Sequence, residues 1–270
     1  ILHTILKMPA APSPEKEYQV QGRPCRVADL GSKVAVLVTH PWGPLGGNLH
    51  NNVVVAVVLY FQRLGLTTCR FDFCGSQVGF GHNQVDQVKE IADKILNGDF
   101  CQGPNKTPPK SLLLIGYSYG SLITTSASAK IPECIASVAI SPPFGVQMWL
   151  LMFSSSTHLQ TAADQAPNLP RLFVLGDQDN FTSERTLRTT LQKYFPQALS
   201  TAAIVQGADH FWFRQERDVM AVVAQWLLSS FAQCQGDLVN LRNMEFGIAT
   251  SSRKLTTKFG TQAASPEDSS

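Results

Sequence analysis

The fold of this chain is decided by the stretch Leu112-Leu113-Leu114-Ile115-Gly116-Tyr117-Ser118-Tyr119-Gly120-Ser121. An apolar run of strand length ends there in Gly-x-Ser-x-Gly, and a small-residue segment of helical character follows over residues 122–130. This context is typical of a nucleophile elbow, a sharp strand-to-helix turn with a strained serine at its tip. Side chains at Gly116 and Gly120 would collide with such a turn. The alternative is an ordinary strand-to-helix turn of another α/β protein, and the segment alone favours neither.

Length and composition indicate one globular α/β domain. A chain of 270 residues can bury one large core, and its 44% hydrophobic and 16% charged residues suit a folded protein. The net charge of +2 does not indicate the excess of basic residues that nucleic-acid binding requires. The longest apolar run, residues 53–61, has nine residues and is too short to span a bilayer. We therefore expect no nucleic-acid partner and no membrane span.

The cysteines predict neither a metal site nor a cofactor. The six cysteines form no Cys-x-x-Cys pair and have no histidine at zinc-ligand spacing. Several fall in predicted strands, where cysteine is usually a small buried hydrophobe. Reduced thiols favour an intracellular compartment, and we expect a cytoplasmic protein. Nothing in the sequence indicates the oligomeric state.

Strands and helices alternate along the chain, which predicts a mostly parallel, doubly wound sheet with helices on both faces and no large cap domain. Residues 1–17 are expected to be a flexible lead-in, 18–233 the folded domain and 234–270 a disordered tail. Residues 18–29 are predicted as an edge strand or hairpin. Residues 144–169 are predicted to be an irregular insert. Residues 53–61 favour a strand by propensity, but a cap at Asn51 or Asn52, an end at Gly65 and the need for a crossover between parallel strands predict a helix.

Chemically useful side chains follow three of the predicted strands. Ser118 ends one strand, Asp177 and Asp179 follow the strand at 171–176, and His210 follows the last strand. In parallel sheets functional groups collect at the carboxyl ends of strands. A serine hydroxyl needs an imidazole to take its proton and a carboxylate to hold that imidazole. The order Ser, Asp, His therefore predicts acyl transfer, with His210 as base and either Asp179 or the loop-stabilising Asp177 as acid.

An oxyanion hole requires two backbone N–H groups, one of them from the residue after the nucleophile. That residue is Tyr119. The second donor is expected in the loop that begins at His40, where Pro41 has no N–H to give, so Trp42 is the first candidate and Gly43 the second. We expect His40 to orient this loop through hydrogen bonds of its ring.

Five segments in this order carry a resemblance to a known family. They are Thr39-His40-Pro41-Trp42-Gly43-Pro44-Leu45-Gly46-Gly47-Asn48, Arg70-Phe71-Asp72-Phe73-Cys74-Gly75, Gly116-Tyr117-Ser118-Tyr119-Gly120, Gly176-Asp177-Gln178-Asp179-Asn180-Phe181 and Gly207-Ala208-Asp209-His210-Phe211. The chain resembles the α/β-hydrolase superfamily over residues 33–232, and more narrowly small cap-less hydrolases related to dienelactone hydrolases and serine aminopeptidases. The resemblance implies Ser118 as nucleophile, Asp179 as acid and His210 as base. Relatives usually carry arginine at the position of Cys74, so Cys74 departs from the family's pattern.

These residues predict a serine hydrolase that acts on a small ester or thioester through an acyl-enzyme. Aromatic residues in the motif loops and the insert are expected to form an apolar substrate pocket; they are Tyr117, Phe144, Trp149, Phe181 and Trp212. Equally, the apolar side chains of the insert can simply pack on the sheet edge. The alternatives are a non-catalytic binding protein, a transacylase or a peptidase of the same fold.

Overall fold

The computed structural model describes residues 14–77, 81–102, 107–145, 155–196 and 199–230. Most of the predicted lead-in, the predicted tail and Trp149 of the insert lie outside the described residues. The first strand begins at Lys16, within the stretch predicted as lead-in.

One eight-stranded sheet forms the centre of the molecule, in the order β1-β2-β4-β3-β5-β6-β7-β8. Its strands are β1 (Lys16–Val20), β2 (Arg23–Ala28), β3 (Val34–Thr39), β4 (Thr67–Phe71), β5 (Ser111–Tyr117), β6 (Cys134–Ile140), β7 (Arg171–Gly176) and β8 (Ser200–Val205). The pairs β1–β2 and β2–β4 are antiparallel, and the other pairs are parallel. Of the edge strand or hairpin predicted at 18–29, the structure shows the hairpin, and the mostly parallel sheet is confirmed. The parallel arrangement gathers the carboxyl ends of β3 to β8 at one edge.

The described residues contain six α-helices, which cover both faces of the sheet. They are α1 (Asn52–Arg63), α2 (His82–Asn97), α3 (Tyr119–Ser128), α4 (Ser155–Gln165), α5 (Glu184–Tyr194) and α6 (Glu216–Ser230). Buried side chains of α1 and α6 share one core, and those of α2 to α5 share the other. No helix among the described residues is both long and apolar enough to cross a membrane.

The ambiguous run at 53–61 is helical, as predicted. The side chain of Asn51 accepts a hydrogen bond from the Val53 N–H at 3.1 Å and so caps α1. Valines on one stripe of the helix are buried against the sheet. Burial of this stripe outweighs the modest helix propensity of valine, because fully burying each such side chain contributes about 1.5–3 kcal/mol.

The prediction of an irregular insert at 144–169 is wrong for its second half, which forms α4. Leu159 and Ala162 lie on one face of α4 and are fully buried in the core shared with α3. The Arg171 guanidinium donates to the Ala162 carbonyl at 3.0 Å, which ties the C-terminal half of α4 to the start of β7. Only two buried apolar residues anchor this helix, so its hydrophobic pattern in the sequence is weak.

Candidate active site

The turn between β5 and α3 has the backbone of a nucleophile elbow. Ser118 has φ 52° and ψ −122°, a conformation that costs a non-glycine residue free energy. A Cβ at Gly116 would lie 2.4 Å from the Gly120 carbonyl oxygen. A Cβ at Gly120 would lie 2.5 Å from the His40 carbonyl oxygen. The two glycines therefore permit the turn and let α3 approach the end of β3.

Ser118, His210 and Asp179 form one hydrogen-bonded chain. The Ser118 hydroxyl lies 2.9 Å from Nε2 of His210. The other ring nitrogen, Nδ1, lies 2.8 Å from Oδ2 of Asp179. The three residues are buried, and the Asp179 side chain is fully shielded from solvent. This arrangement can transfer the serine proton to the imidazole while the carboxylate holds the ring in one tautomer.

The structure distinguishes the two candidate aspartates. Besides binding His210, Asp179 accepts hydrogen bonds at Oδ1 from the N–H groups of Phe181 at 2.8 Å and Thr182 at 3.1 Å. These bonds fix the carboxylate before any substrate arrives. Asp177 is exposed, and its Oδ1 accepts from the Gly207 N–H at 2.6 Å. Asp177 therefore joins the loops after β7 and β8. This is the loop-stabilising role predicted for it as the alternative.

His40 orients its loop from a buried position, as predicted. Its Nδ1 donates to the Pro41 carbonyl at 2.5 Å, and its Nε2 accepts from the Phe73 N–H at 2.9 Å. Accepting at Nε2 requires a neutral ring. Desolvation by burial lowers the pKa of His40, although the bond to Pro41 and the charge of Asp72 oppose that shift. The neutral imidazole thus links the end of β3 to the end of β4.

The two predicted oxyanion donors lie at the start of α3 and in the loop after β3. Tyr119 is the first residue of α3, so its N–H has no acceptor within the helix. In the other loop, the Gly43 N–H is already bound to Oε1 of Gln77 at 2.8 Å, whereas the Trp42 N–H has no acceptor among the described residues. The Trp42 indole also donates to the Gln77 carbonyl at 3.0 Å. Gln77 therefore holds this loop at two points.

Comparison with known proteins supports the same architecture. No protein-family model matches the chain. An uncharacterized protein of Rickettsia prowazekii is 26% identical over 218 residues, which are 79% of this chain and 86% of that protein. A serine hydrolase without lid from Xanthomonas campestris matches with a TM-score of 0.63 at 20% identity, over 84% of this chain and 98% of the other. An esterase of Pyrococcus furiosus matches with a TM-score of 0.61 at 16% identity, over 79% and 90%. The chain has the α/β-hydrolase fold.

Three residues predicted to line a substrate pocket are instead packed inside this α/β-hydrolase fold. Trp212 is fully buried, and its indole donates to the Ser141 hydroxyl at 2.9 Å. Tyr117 is 2% exposed and donates to the His210 carbonyl at 2.7 Å. Phe144 is buried against Phe173, with ring centroids 6.3 Å apart. Position in a motif loop does not determine which way a side chain points, so the assignment of these three residues to the pocket stays a prediction.

Phe181 does lie at the site. Its ring packs over the His210 imidazole, with centroids 4.1 Å apart, and it remains partly exposed. Sequence reasoning missed Phe211 and Phe213, which are 48% and 68% exposed beside it. Their signal was present as the alternation Phe211-Trp212-Phe213, in which one ring points inward and its neighbours outward. Gln77 had no such signal, because its role depends on a loop that is distant in the sequence.

Proposed function

We propose that this chain is a serine hydrolase that cleaves small carboxylic esters or thioesters through an acyl-enzyme. The observation that carries the proposal is the continuous hydrogen-bonded chain from Ser118 through His210 to the shielded Asp179 carboxylate. Each of the three follows a different strand of the α/β-hydrolase fold. A buried carboxylate behind an imidazole behind a strained serine is the arrangement that activates a hydroxyl as a nucleophile.

The reaction proceeds in two steps. Oγ of Ser118 attacks the substrate carbonyl carbon while Nε2 of His210 accepts the hydroxyl proton. The resulting tetrahedral intermediate collapses, the bond to the leaving oxygen or sulfur breaks, and His210 returns the proton to that atom. Water then attacks the acyl-enzyme, again giving a proton to His210, and the acid is released as Ser118 regains its proton. Asp179 stabilises the imidazolium that forms in each step and is not itself protonated.

The N–H groups of Tyr119 and Trp42 are proposed to stabilise the oxyanion. Negative charge develops on the carbonyl oxygen in the transition state, and a preorganised donor typically contributes about 10²–10³-fold to kcat. The close approach of Gly120 to the His40 carbonyl places the two loops side by side. Because the Gly43 N–H already donates to Oε1 of Gln77, we take Trp42 as the donor in that loop.

Turnover of p-nitrophenyl acetate and labelling by a fluorophosphonate test the proposal. We expect the wild-type protein to hydrolyse the ester and to become labelled at Ser118, and Ser118→Ala to lose both reactions. His210→Ala should lose turnover, whereas His50→Ala is the matched control because its side chain is exposed on another loop. Wild-type protein that is neither labelled nor active, with its fold intact, would contradict the proposal and favour a non-catalytic binding protein.

A further inference from the structure

A row of three phenylalanine rings extends outward from the His210 imidazole. Phe181 lies against the imidazole at 4.1 Å between centroids, and Phe211 contacts both rings at 5.6 Å from His210 and 6.2 Å from Phe181. Phe213 stacks on Phe211 at 6.1 Å with an interplanar angle of 17°. We call these three residues the aromatic row. Its outer members are exposed, so the row offers a continuous apolar surface that begins at the reacting imidazole.

The loop that carries the outer rings is held in a costly conformation. Trp212 and Arg214 both have positive φ angles, 58° and 63°, although neither is glycine. Oδ1 of Asp209 accepts from the N–H groups of Phe211 and Trp212, which stabilises the turn. The effect is to bury the indole of Trp212 while its two neighbours remain outside. This conformation leaves two large apolar rings exposed, and the inner one, Phe211, contacts the His210 imidazole.

The order of strands assigns a direction to the substrate. The proposed oxyanion donors follow β3 and β5, whereas His210 and Asp179 follow β8 and β7, on the other side of Ser118 in the sheet. The carbonyl oxygen must therefore point toward the β3 side. The leaving group must lie within reach of Nε2 of His210, because that nitrogen gives it a proton. The aromatic row is thus on the leaving-group side of the bond to be cleaved.

We infer that Phe181, Phe211 and Phe213 form a leaving-group subsite, so that the substrate is an ester or thioester whose alcohol or thiol part is apolar. This inference rests on the proposed hydrolase function and specifies its substrate class. An alkyl or aryl leaving group gains by covering these rings, since apolar contact removes both surfaces from water. The aromatic row therefore makes specificity depend on the size of the alcohol or thiol part.

Two series of esters test this inference. The first keeps the acetyl group and varies the alcohol from ethanol to hexanol to 2-phenylethanol, whose hydroxyl acidities are similar. The second keeps ethanol and lengthens the acyl chain to hexanoyl. We expect kcat/KM to rise at least about tenfold across the first series and to change less across the second. In Phe211→Ala and Phe213→Ala, the ratio of kcat/KM for 2-phenylethyl acetate to that for ethyl acetate should fall about three- to tenfold.

Leu199→Ala is the matched control, because Leu199 is 43% exposed and precedes β8 at the opposite end of the sheet. It should leave the ratio at the wild-type value. A rise confined to the acyl series, or an unchanged ratio in both phenylalanine variants, would overturn the inference while leaving a Ser118-dependent hydrolase in place. Loss of binding to phospholipid vesicles in these variants, with an unchanged ratio of the two kcat/KM values, would also overturn the inference and leave the hydrolase function in place. Absence of turnover with every ester would overturn the proposed function and this inference together.

Discussion

Replacing Asp179 by asparagine isolates the charge behind His210. In the wild-type protein one carboxylate oxygen accepts from Nδ1 of His210, and the other accepts two backbone N–H groups. Asparagine can keep the two backbone bonds with its single carbonyl oxygen. Its NH₂ group then faces Nδ1, which must become an acceptor, so the ring proton moves to Nε2. In that tautomer His210 cannot accept the Ser118 proton.

We expect Asp179→Asn to lower kcat by about 10⁴-fold, equivalent to about 5.4 kcal/mol of activation free energy. Its free energy of unfolding should fall only about 1–2 kcal/mol, because the two backbone hydrogen bonds survive and the third, to Nδ1, is reversed and no longer involves a charge. The assay compares kcat for p-nitrophenyl acetate with unfolding in urea. Asp177→Asn is the matched control, since its exposed side chain keeps an oxygen for the Gly207 N–H. A kcat of a tenth of the wild-type value in Asp179→Asn, or equal losses in the two variants, would contradict a role of the Asp179 charge in setting the His210 tautomer.

Substitutions at three other positions test the support of the site. Gly120→Ala places a Cβ 2.5 Å from the His40 carbonyl oxygen, so we expect a loss of about 1–3 kcal/mol in urea unfolding together with a large loss of kcat; unchanged kcat would show that the elbow can shift freely. Burial lowers the pKa of His40, so below about pH 6.5 the unfolded chain binds more protons than the folded protein. The contribution of the neutral His40 to stability is therefore present above that pH and is lost as pH falls. The free energy of unfolding should fall with a slope of up to about 1.4 kcal/mol per pH unit from this residue. In His40→Gln this part of the slope of unfolding free energy between pH 7 and 5 should disappear, and an unaltered slope would assign it to other groups. Gln77→Ala frees the Gly43 N–H, and we expect kcat to fall about tenfold with little change in KM. Gln77→Glu keeps an acceptor oxygen and should retain most of the wild-type kcat. Equal losses in the two variants would argue against the hydrogen bond from Gly43 to Gln77 as the support of this loop.

The elements that the sequence predicted well are those whose hydrophobic pattern is strong or whose ends carry clear signals. The helix at Asn52–Arg63 was recoverable because an asparagine cap precedes it and two parallel strands flank it. The helix at Ser155–Gln165 was missed, because few of its residues are apolar and its burial depends on α3. Local pattern is weak wherever packing against a distant element supplies most of the stabilisation.

The residues of the candidate site also differ in how well the sequence predicted them. Ser118 stood out because two glycines flank it at the end of an apolar strand, and His210 because it is the only histidine after Asp179. The pocket residues did not, since alternate residues of a loop point in opposite directions according to backbone angles that the sequence does not specify. Trp212 and Phe211 are neighbours in the chain, yet one is fully buried and the other is 48% exposed.

The parallel α/β architecture and the types of side chain at the ends of its strands could be predicted from the sequence, because hydrophobic periodicity and glycine spacing are local properties of the chain. The resemblance implied Asp179 as the acid, and its contact with His210 is a feature of the folded protein. The fold also determines which loop residue secures the Trp42 segment and which aromatic rings remain outside, and neither could be predicted from the sequence. These outcomes depend on distances between segments far apart in the sequence, such as the 2.8 Å between Asp179 and His210. Such distances follow from how the whole sheet twists and packs, which no single segment encodes.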